Sequence, residues 1–213
     1  MDVLFINPGS AKDVYQSLST DYSGIGTPYW ALLLAQSCRS QNYNVGILDI
    51  LAEKLSIENS IKRIKKLNPK LITFCVYGEN VNSGTTQMSG AVRLANALKK
   101  QNVKIPISFV GSHVQALPYE VLSSEPNIDI IFTNEGVYSL WNILKLDNLY
   151  DKSKLENIKG IGFIKKGKPF LTEPEKIVPQ KRMDIDLPGY AWDLLPYDKK
   201  PLDLYRSPMW HGE

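Results

Sequence analysis

The sequence predicts an α/β domain built on a parallel sheet with helices on both faces. Two observations lead there. Short continuous apolar runs, rich in β-branched and aromatic residues, recur five times within the first 146 residues, as strands buried on both faces do. Between them lie stretches with apolar positions at helical spacing, and that alternation implies parallel strands joined by crossover helices.

In chain order, Val3-Leu4-Phe5-Ile6 is the first run, ended by Asn7-Pro8-Gly9. The polar loop from Ser10 to about Gly26 is too long for a simple strand-to-helix connection, and loops of this length in compact domains are often functional. Thr27 is placed to cap the next helix and Pro28 suits its first turn. That helix runs from about Tyr29 to Gln41, with Trp30, Leu33 and Leu34 among its apolar positions. Val45 to Asp49 is the second strand. Ser56 caps a helix whose Ile57, Ile61 and Ile64 share one face, and Pro69 marks its exit. Leu71 to Val76 is the third strand, followed by a glycine- and hydroxyl-rich loop from Tyr77 to Thr86. The helix beyond carries Met88, Ala91, Leu94, Ala95 and Leu98. The fourth strand, Ile107 to Val110, stops at Gly111, where the backbone can turn tightly and a ligand can come close. A helix near Ala116 to Ser123, a strand at Ile128 to Phe132 ending in Thr133-Asn134-Glu135-Gly136, and a helix near Val137 to Leu144 complete the series.

Right-handed crossovers leave few topologies for five such units. The expected one is the flavodoxin-like doubly wound sheet, strand order 2-1-3-4-5, over residues 1–146. Residues 147–213 change character. Lys159 to Lys165 and Pro169 to Thr172, joined by Lys166-Gly167-Lys168, predict a β-hairpin. From Pro174 on, prolines at 179, 188, 196, 201 and 208 exclude a long helix or a central strand, so an extended linker pinned by Tyr190, Trp192, Tyr197 and Trp210 is expected.

Composition removes several function classes. A content of 43% hydrophobic and 22% charged residues is that of a folded globular protein, and a formal charge of +3 gives no reason to expect nucleic acid. Lys62, Arg63, Lys65 and Lys66 fall on one helix as a solvated face. Two cysteines, Cys38 and Cys75, fall in a helix and a strand, with no C-x-x-C and no disulfide framework. No apolar run approaches the roughly 20 residues of a membrane span and Met1-Asp2 does not open a signal peptide, so the expected location is the cytoplasm, with no membrane partner. Gly24-Ile25-Gly26 begins like a dinucleotide fingerprint, but Tyr29 stands where the third small residue belongs. Phosphate-binding-loop, G-x-S-x-G and zinc spacings do not occur. Asn7 and Tyr77 end the strands where a phosphoreceiver domain needs acids, and the paired carboxylates of a nucleotide-sugar glycosyltransferase are missing as well.

What remains is an edge of polar, mostly non-acidic groups beyond the carboxyl ends of the strands: Asn7, Thr27, Tyr77, Ser83, Thr85, Thr86, Ser112, His113, Thr133, Asn134 and Glu135. Each Ser or Thr alone is better read as a cap or a turn residue. Together, hydroxyls, glycines and helix N-terminal amides suit a large cofactor that bears amides and phosphate.

At this point the chain resembles a known family. Val3 to Pro8, Gly26-Thr27-Pro28 leading on to Val45 to Asp49, Gly111-Ser112-His113 with Leu117-Pro118, and Asn134-Glu135-Gly136 are similar to the N-terminal cobalamin (B12)-binding domain of cobalamin-dependent radical S-adenosylmethionine enzymes. Asp186-Leu187-Pro188-Gly189-Tyr190-Ala191-Trp192-Asp193-Leu194-Leu195-Pro196 resembles the linker that precedes their radical domain. The resemblance implies cobalamin over the carboxyl ends of the strands, contacted by Asn7, Gly26, Thr27, Tyr77, Gly78, Thr85, Thr86, Gly111, Ser112, His113, Glu135 and Gly136. It further implies a radical domain C-terminal to this chain, holding a [4Fe–4S] cluster and S-adenosylmethionine, and an activity of methyl transfer, with ring formation or rearrangement equally compatible with this half. Two departures stand out. The Asp-x-His-x-x-Gly motif whose His ligates cobalt in many cobalamin domains does not occur, which leaves binding base-off and His113 as a substitute candidate with a local hydrogen bond as its competing role. Nor can two cysteines supply the three thiolates of C-x-x-x-C-x-x-C, so catalysis needs residues outside this sequence. The alternative from another class is a flavodoxin-like docking or substrate-recognition module that has lost the cofactor.

Overall fold

A computed structural model of the chain describes residues 1–9, 25–77, 81–199 and 205. Its centre is a sheet whose strands are β1 (Val3–Asn7), β2 (Val45–Asp49), β3 (Leu71–Cys75), β4 (Ile107–Val110), β5 (Ile130–Phe132), β6 (Ile161–Lys165) and β7 (Lys168–Leu171), in the order β2-β1-β3-β4-β5-β6-β7. The first five are parallel and take the expected order 2-1-3-4-5.

Every residue of β1, β3, β4 and β5 is buried, because both faces are covered. The pleat sends Val3 and Phe5 to one face and Leu4 and Ile6 to the other. The first face is covered by α1 (Tyr29–Ser40) through Ala31, Leu34, Ala35 and Cys38, and by α6 (Val137–Leu144) through Val137, Leu140 and Ile143. The second is covered by α2 (Ile57–Leu67), α3 (Val81–Lys100) and α5 (Pro118–Ser124), which contribute Ile61 and Ile64, Met88 to Leu98, and Val121 with Leu122. Ser56 accepts the backbone N–H of Asn59 and so caps α2 as expected. Inside the sheet the Thr73 and Ser108 hydroxyls pair across β3 and β4 at 2.9 Å, which satisfies two buried polar groups.

Four expectations change. The stretch ending at Thr86 is not loop throughout: α3 begins at Val81, so Thr85 and Thr86 lie in its opening turns. The single helix near Ala116 to Ser123 is two, α4 (Ser112–Ala116) and α5, because Pro118 at the first helical position starts a new one. Thr27 does not cap α1 through its side chain; the cap position is Pro28 and no side-chain hydrogen bond closes it. The hairpin does not stand apart from the sheet. Strand β6 pairs antiparallel with β5 and carries β7 beyond it, giving seven strands and covering an edge that five would leave open. Its two-residue loop, Lys166-Gly167, has positive φ at both positions (48° and 78°), the turn whose twist matches a hairpin.

After a short α7 (Lys152–Leu155), the hairpin and α8 (Met183–Asp186), the proline-rich segment packs back on α1. Ser37 donates to the Asp186 carbonyl at 2.6 Å, Ala191 N–H to the Leu32 carbonyl at 3.3 Å, and Arg39 clasps both Asp193 carboxylate oxygens at 2.8 and 2.6 Å. The Asp186 side chain is fully buried and accepts from Tyr138 (2.5 Å) and twice from Arg182 (2.6 and 2.7 Å), which holds its carboxyl below the usual carboxylate range. Among the described residues no helix is long and apolar enough to cross a membrane.

Candidate functional site

The crossover β1–α1–β2 runs over one face of the sheet and β2–α2–β3 over the other, so the chain divides at the carboxyl ends of β1 and β3. In open α/β sheets ligands bind in that crevice. Residues 10–24 and 78–80, which follow β1 and β3 in sequence, lie outside the described residues, and with them the expected contact Gly78.

Around the crevice the described side chains form two groups. On the β1–β2 side, Asn7 donates its side-chain amide to Asp49 Oδ1 at 3.0 Å, and the same oxygen accepts the N–H of Ala52. Asp49 Oδ2 accepts the Tyr205 hydroxyl at 2.9 Å. Burial lifts the Asp49 carboxyl to about 6, against the opposing pull of these three donors. The Asn7 amide is thus committed to Asp49.

On the β3–β5 side, the Tyr77 ring lies 5.2 Å from that of Trp30 at the start of α1, and Trp30 Nε1 donates to the Glu135 carbonyl at 3.1 Å. Gln115 donates to the Tyr77 hydroxyl (2.5 Å) and to the Asn134 carbonyl (2.7 Å). Burial pushes the Tyr77 phenol well above its ordinary value, so it stays protonated. Thr85 Oγ1 and His113 Nδ1 are 3.1 Å apart, which ties the second turn of α3 to α4 and gives His113 a local hydrogen bond through Nδ1. The two backbones approach closely here. A Cβ on Gly111 would stand 2.5 Å from Val76 Cγ2, and one on Gly84 would run into the Ser112 hydroxyl.

The structure therefore brings Tyr77, Thr85, Gly111, Ser112 and His113 together, and places Thr86 exposed one residue beyond Thr85. Gly26 and Thr27 precede α1, where Tyr29 N–H donates to the Thr27 carbonyl. Gly136 caps α6 with φ +87°, its N–H donated to Asn134 Oδ1. Glu135 turns away, accepting the N–H of Val178 in the returning tail at 2.5 Å. Sequence reasoning missed Asp49, Trp30 and Gln115. Asp49 carried a usable signal, a carboxylate closing an apolar strand; Gln115 and Trp30 sit in helices where they pass for solvent-facing and core residues.

The donor set suits a cofactor rich in amides and phosphate. Among the described residues the carboxylates of Asp49, at the end of β2, and Glu135, just beyond β5, are both spent on internal partners, which leaves hydroxyls, an imidazole and backbone amides there. Among the described residues no group of three His, Cys, Asp or Glu could hold a metal ion. A pocket of about 230 Å³ lined by Lys70, Pro106, Leu144 and Leu146 to Tyr150 lies at the opposite, amino end of the strands.

Comparison with known proteins decides the family. The model of the B12 binding domain matches residues 16–143, which include α1 and strands β2 to β5. The chain belongs to the B12-binding domain family. Over 203 residues this B12-binding domain is 27% identical to an uncharacterized methyltransferase, PH0819, of Pyrococcus horikoshii, covering 95% of the chain and 40% of that protein. Its fold is shared with the cobalamin-dependent S-adenosylmethionine radical enzyme OxsB with aqua-cobalamin and S-adenosylmethionine bound, at TM-score 0.60 and 16% identity, covering 83% of this chain and 22% of that one. The apo form of the same enzyme gives TM-score 0.53 and 16% identity, covering 87% and 25%. The chain thus spans well under half the length of each of these relatives.

Proposed function

We propose that this chain is the cobalamin-binding module of a cobalamin-dependent radical S-adenosylmethionine enzyme, and that the enzyme is a methyltransferase. The observation that carries the reading is the coincidence of the B12-binding match with a crevice whose described edge carries hydroxyl, imidazole and amide groups. The name of the Pyrococcus horikoshii relative supports the methyltransferase assignment, and the description of OxsB supports the radical class. Bound there, cobalamin would supply a methyl group on cobalt for transfer. The protein's own part is to hold and orient it: Thr85, Ser112, His113 and Tyr77 offer hydrogen bonds, the close-packed Gly84 and Gly111 let backbone approach, and the α3 and α6 N-termini present amides to phosphate. The [4Fe–4S] cluster and S-adenosylmethionine belong to a radical domain outside these residues, since Cys38 and Cys75 are both buried and too few for the cluster. The division into a cofactor domain at 1–146 and a β-hairpin with a proline- and aromatic-rich linker at 147–213 is part of the same proposal, as is a cytoplasmic location.

Absorbance and calorimetric titration with hydroxocobalamin and methylcobalamin tests it. Saturable binding with a base-off spectrum is expected. A folded sample that binds neither at high micromolar concentration would instead make the chain a docking module.

A further inference from the structure

Four elements are joined at the β3–β5 side by a closed circuit of contacts. The Trp30 ring packs at a tilt against Tyr77, Tyr77 accepts from Gln115, Gln115 donates to the Asn134 carbonyl, and the next carbonyl, that of Glu135, accepts from Trp30. Gln115 is the joint on which this circuit turns. Its two bonds use the two hydrogens of one amide nitrogen, a job a carboxylate or a hydroxyl could not do. The consequence falls on Tyr77. A phenol has one hydrogen to give, and because its oxygen already accepts from Gln115, that hydrogen is directed elsewhere. Among the described residues it finds no acceptor. A half-buried, protonated phenol at a ligand edge with its O–H unspent is a donor waiting for a carbonyl or phosphate oxygen.

Resting on the cofactor reading above, we infer that Gln115 is a positioning residue which, by donating to the Tyr77 oxygen, fixes Tyr77 as a hydrogen-bond donor to an amide carbonyl or phosphate oxygen of the corrinoid. Asn134 keeps Gln115 in place. Its own side chain is held at both ends, accepting from Gly136 N–H at 2.9 Å and donating to the Glu175 carbonyl at 3.0 Å, so its backbone carbonyl is a fixed target. Sequence alone would place Gln115 on an exposed helical turn with no role.

The test uses the 213-residue chain and four proteins: wild type, Tyr77→Phe, Gln115→Glu and the double variant. Gln115→Glu keeps the shape but replaces the donor with a carboxylate, which would take the Tyr77 hydrogen for itself. Dissociation constants are measured for hydroxocobalamin and for dicyanocobinamide, which lacks the nucleotide phosphate. Near-ultraviolet circular dichroism of the Trp30–Tyr77 pair follows whether the ring stays in place. The inference expects each single variant to weaken hydroxocobalamin binding about 5- to 10-fold, and the double variant to weaken it no further, because both remove the same bond. Equal losses for cobinamide assign the acceptor to a corrin amide; losses confined to hydroxocobalamin assign it to the phosphate. Wild-type affinity in Gln115→Glu, or additive losses in the double variant, would overturn the inference while leaving the cofactor reading intact. A wild-type chain that binds neither corrinoid would overturn both.

Discussion

Replacing Gly111 by alanine is the most economical perturbation of the site's framework. The added Cβ would lie 2.5 Å from Val76 Cγ2 and 2.6 Å from Val76 C, and closer still to the Val76 carbonyl oxygen. Two of these three atoms are backbone, held by the 2.8 Å bond from Val76 N–H to the Val110 carbonyl, so no side chain can rotate away to make room. Gly111 has φ 160°, an extended conformation open to any residue, so the whole cost is steric. Overpacking of this kind costs about 1–3 kcal/mol. Loss or lengthening of the Val76–Val110 bond adds about 1 kcal/mol, and the smaller freedom of alanine in the unfolded chain returns about 0.5 kcal/mol. The net loss is about 1.5–3.5 kcal/mol, which at a urea dependence of about 2 kcal/mol per molar moves the unfolding midpoint down by about 0.8–1.8 M. Gly167→Ala is the control. It has nothing within 4 Å but a φ of +78°, and should cost about 1 kcal/mol from left-handed strain alone. Urea unfolding followed by far-ultraviolet circular dichroism reads both. A Gly111→Ala midpoint no lower than that of Gly167→Ala would refute the argument from close approach.

Three further outcomes are expected. Burial raises the Asp49 carboxyl from 3.8 to about 6, so the folded state binds its proton the more tightly; the stability this brings is complete below about pH 4 and is lost as pH rises through 6. Asp49→Asn should flatten that fall, worth on the order of 2–3 kcal/mol between pH 4 and 7, and parallel wild-type and variant curves would count against it. Cys38 and Cys75 are buried thiols whose ionisation burial pushes up, so neither should react with a thiol reagent at pH 8 until the protein is unfolded in urea, when both should. Asp186→Ala removes the acceptor shared by Arg182 and Tyr138, and should speed amide exchange across residues 180–192 while leaving β1 to β5 protected; uniform exchange would show that the tail is held by other contacts.

The parallel core was legible because its signals are local. An apolar run such as Val3 to Ile6 or Leu71 to Cys75 can be satisfied only with both faces covered, and the helices between carry their own spacing. Where partners are distant in sequence, legibility fails. Nothing in Ile161 to Lys165 announces that it pairs with β5, or in Tyr205 that it meets Asp49. The start of α3 was hidden by poor helix formers, asparagine, serine, glycine and threonine, whose propensity is outweighed by packing against the β4–α4 turn. The carboxyl edge could be located from strand ends, but the division of labour along it could not. Asn7 looks available in sequence and is bound to Asp49; Glu135 looks like a ligand contact and serves the tail; Gln115 looks idle and holds Tyr77.

The central claim is that a corrinoid sits on the carboxyl ends of β1, β3, β4 and β5. Hydrogen–deuterium exchange of the chain with and without saturating hydroxocobalamin tests this most directly. Slowed exchange is expected at Asn7 and Gly9, Tyr77 and the first turns of α3, Gly111 to Gln115, and Asn134 to Val137, with none added around Lys70, Pro106 and Leu144 to Tyr150 at the amino end. Protection confined to that amino-end pocket, or binding with no protection at the four strand ends, would contradict it.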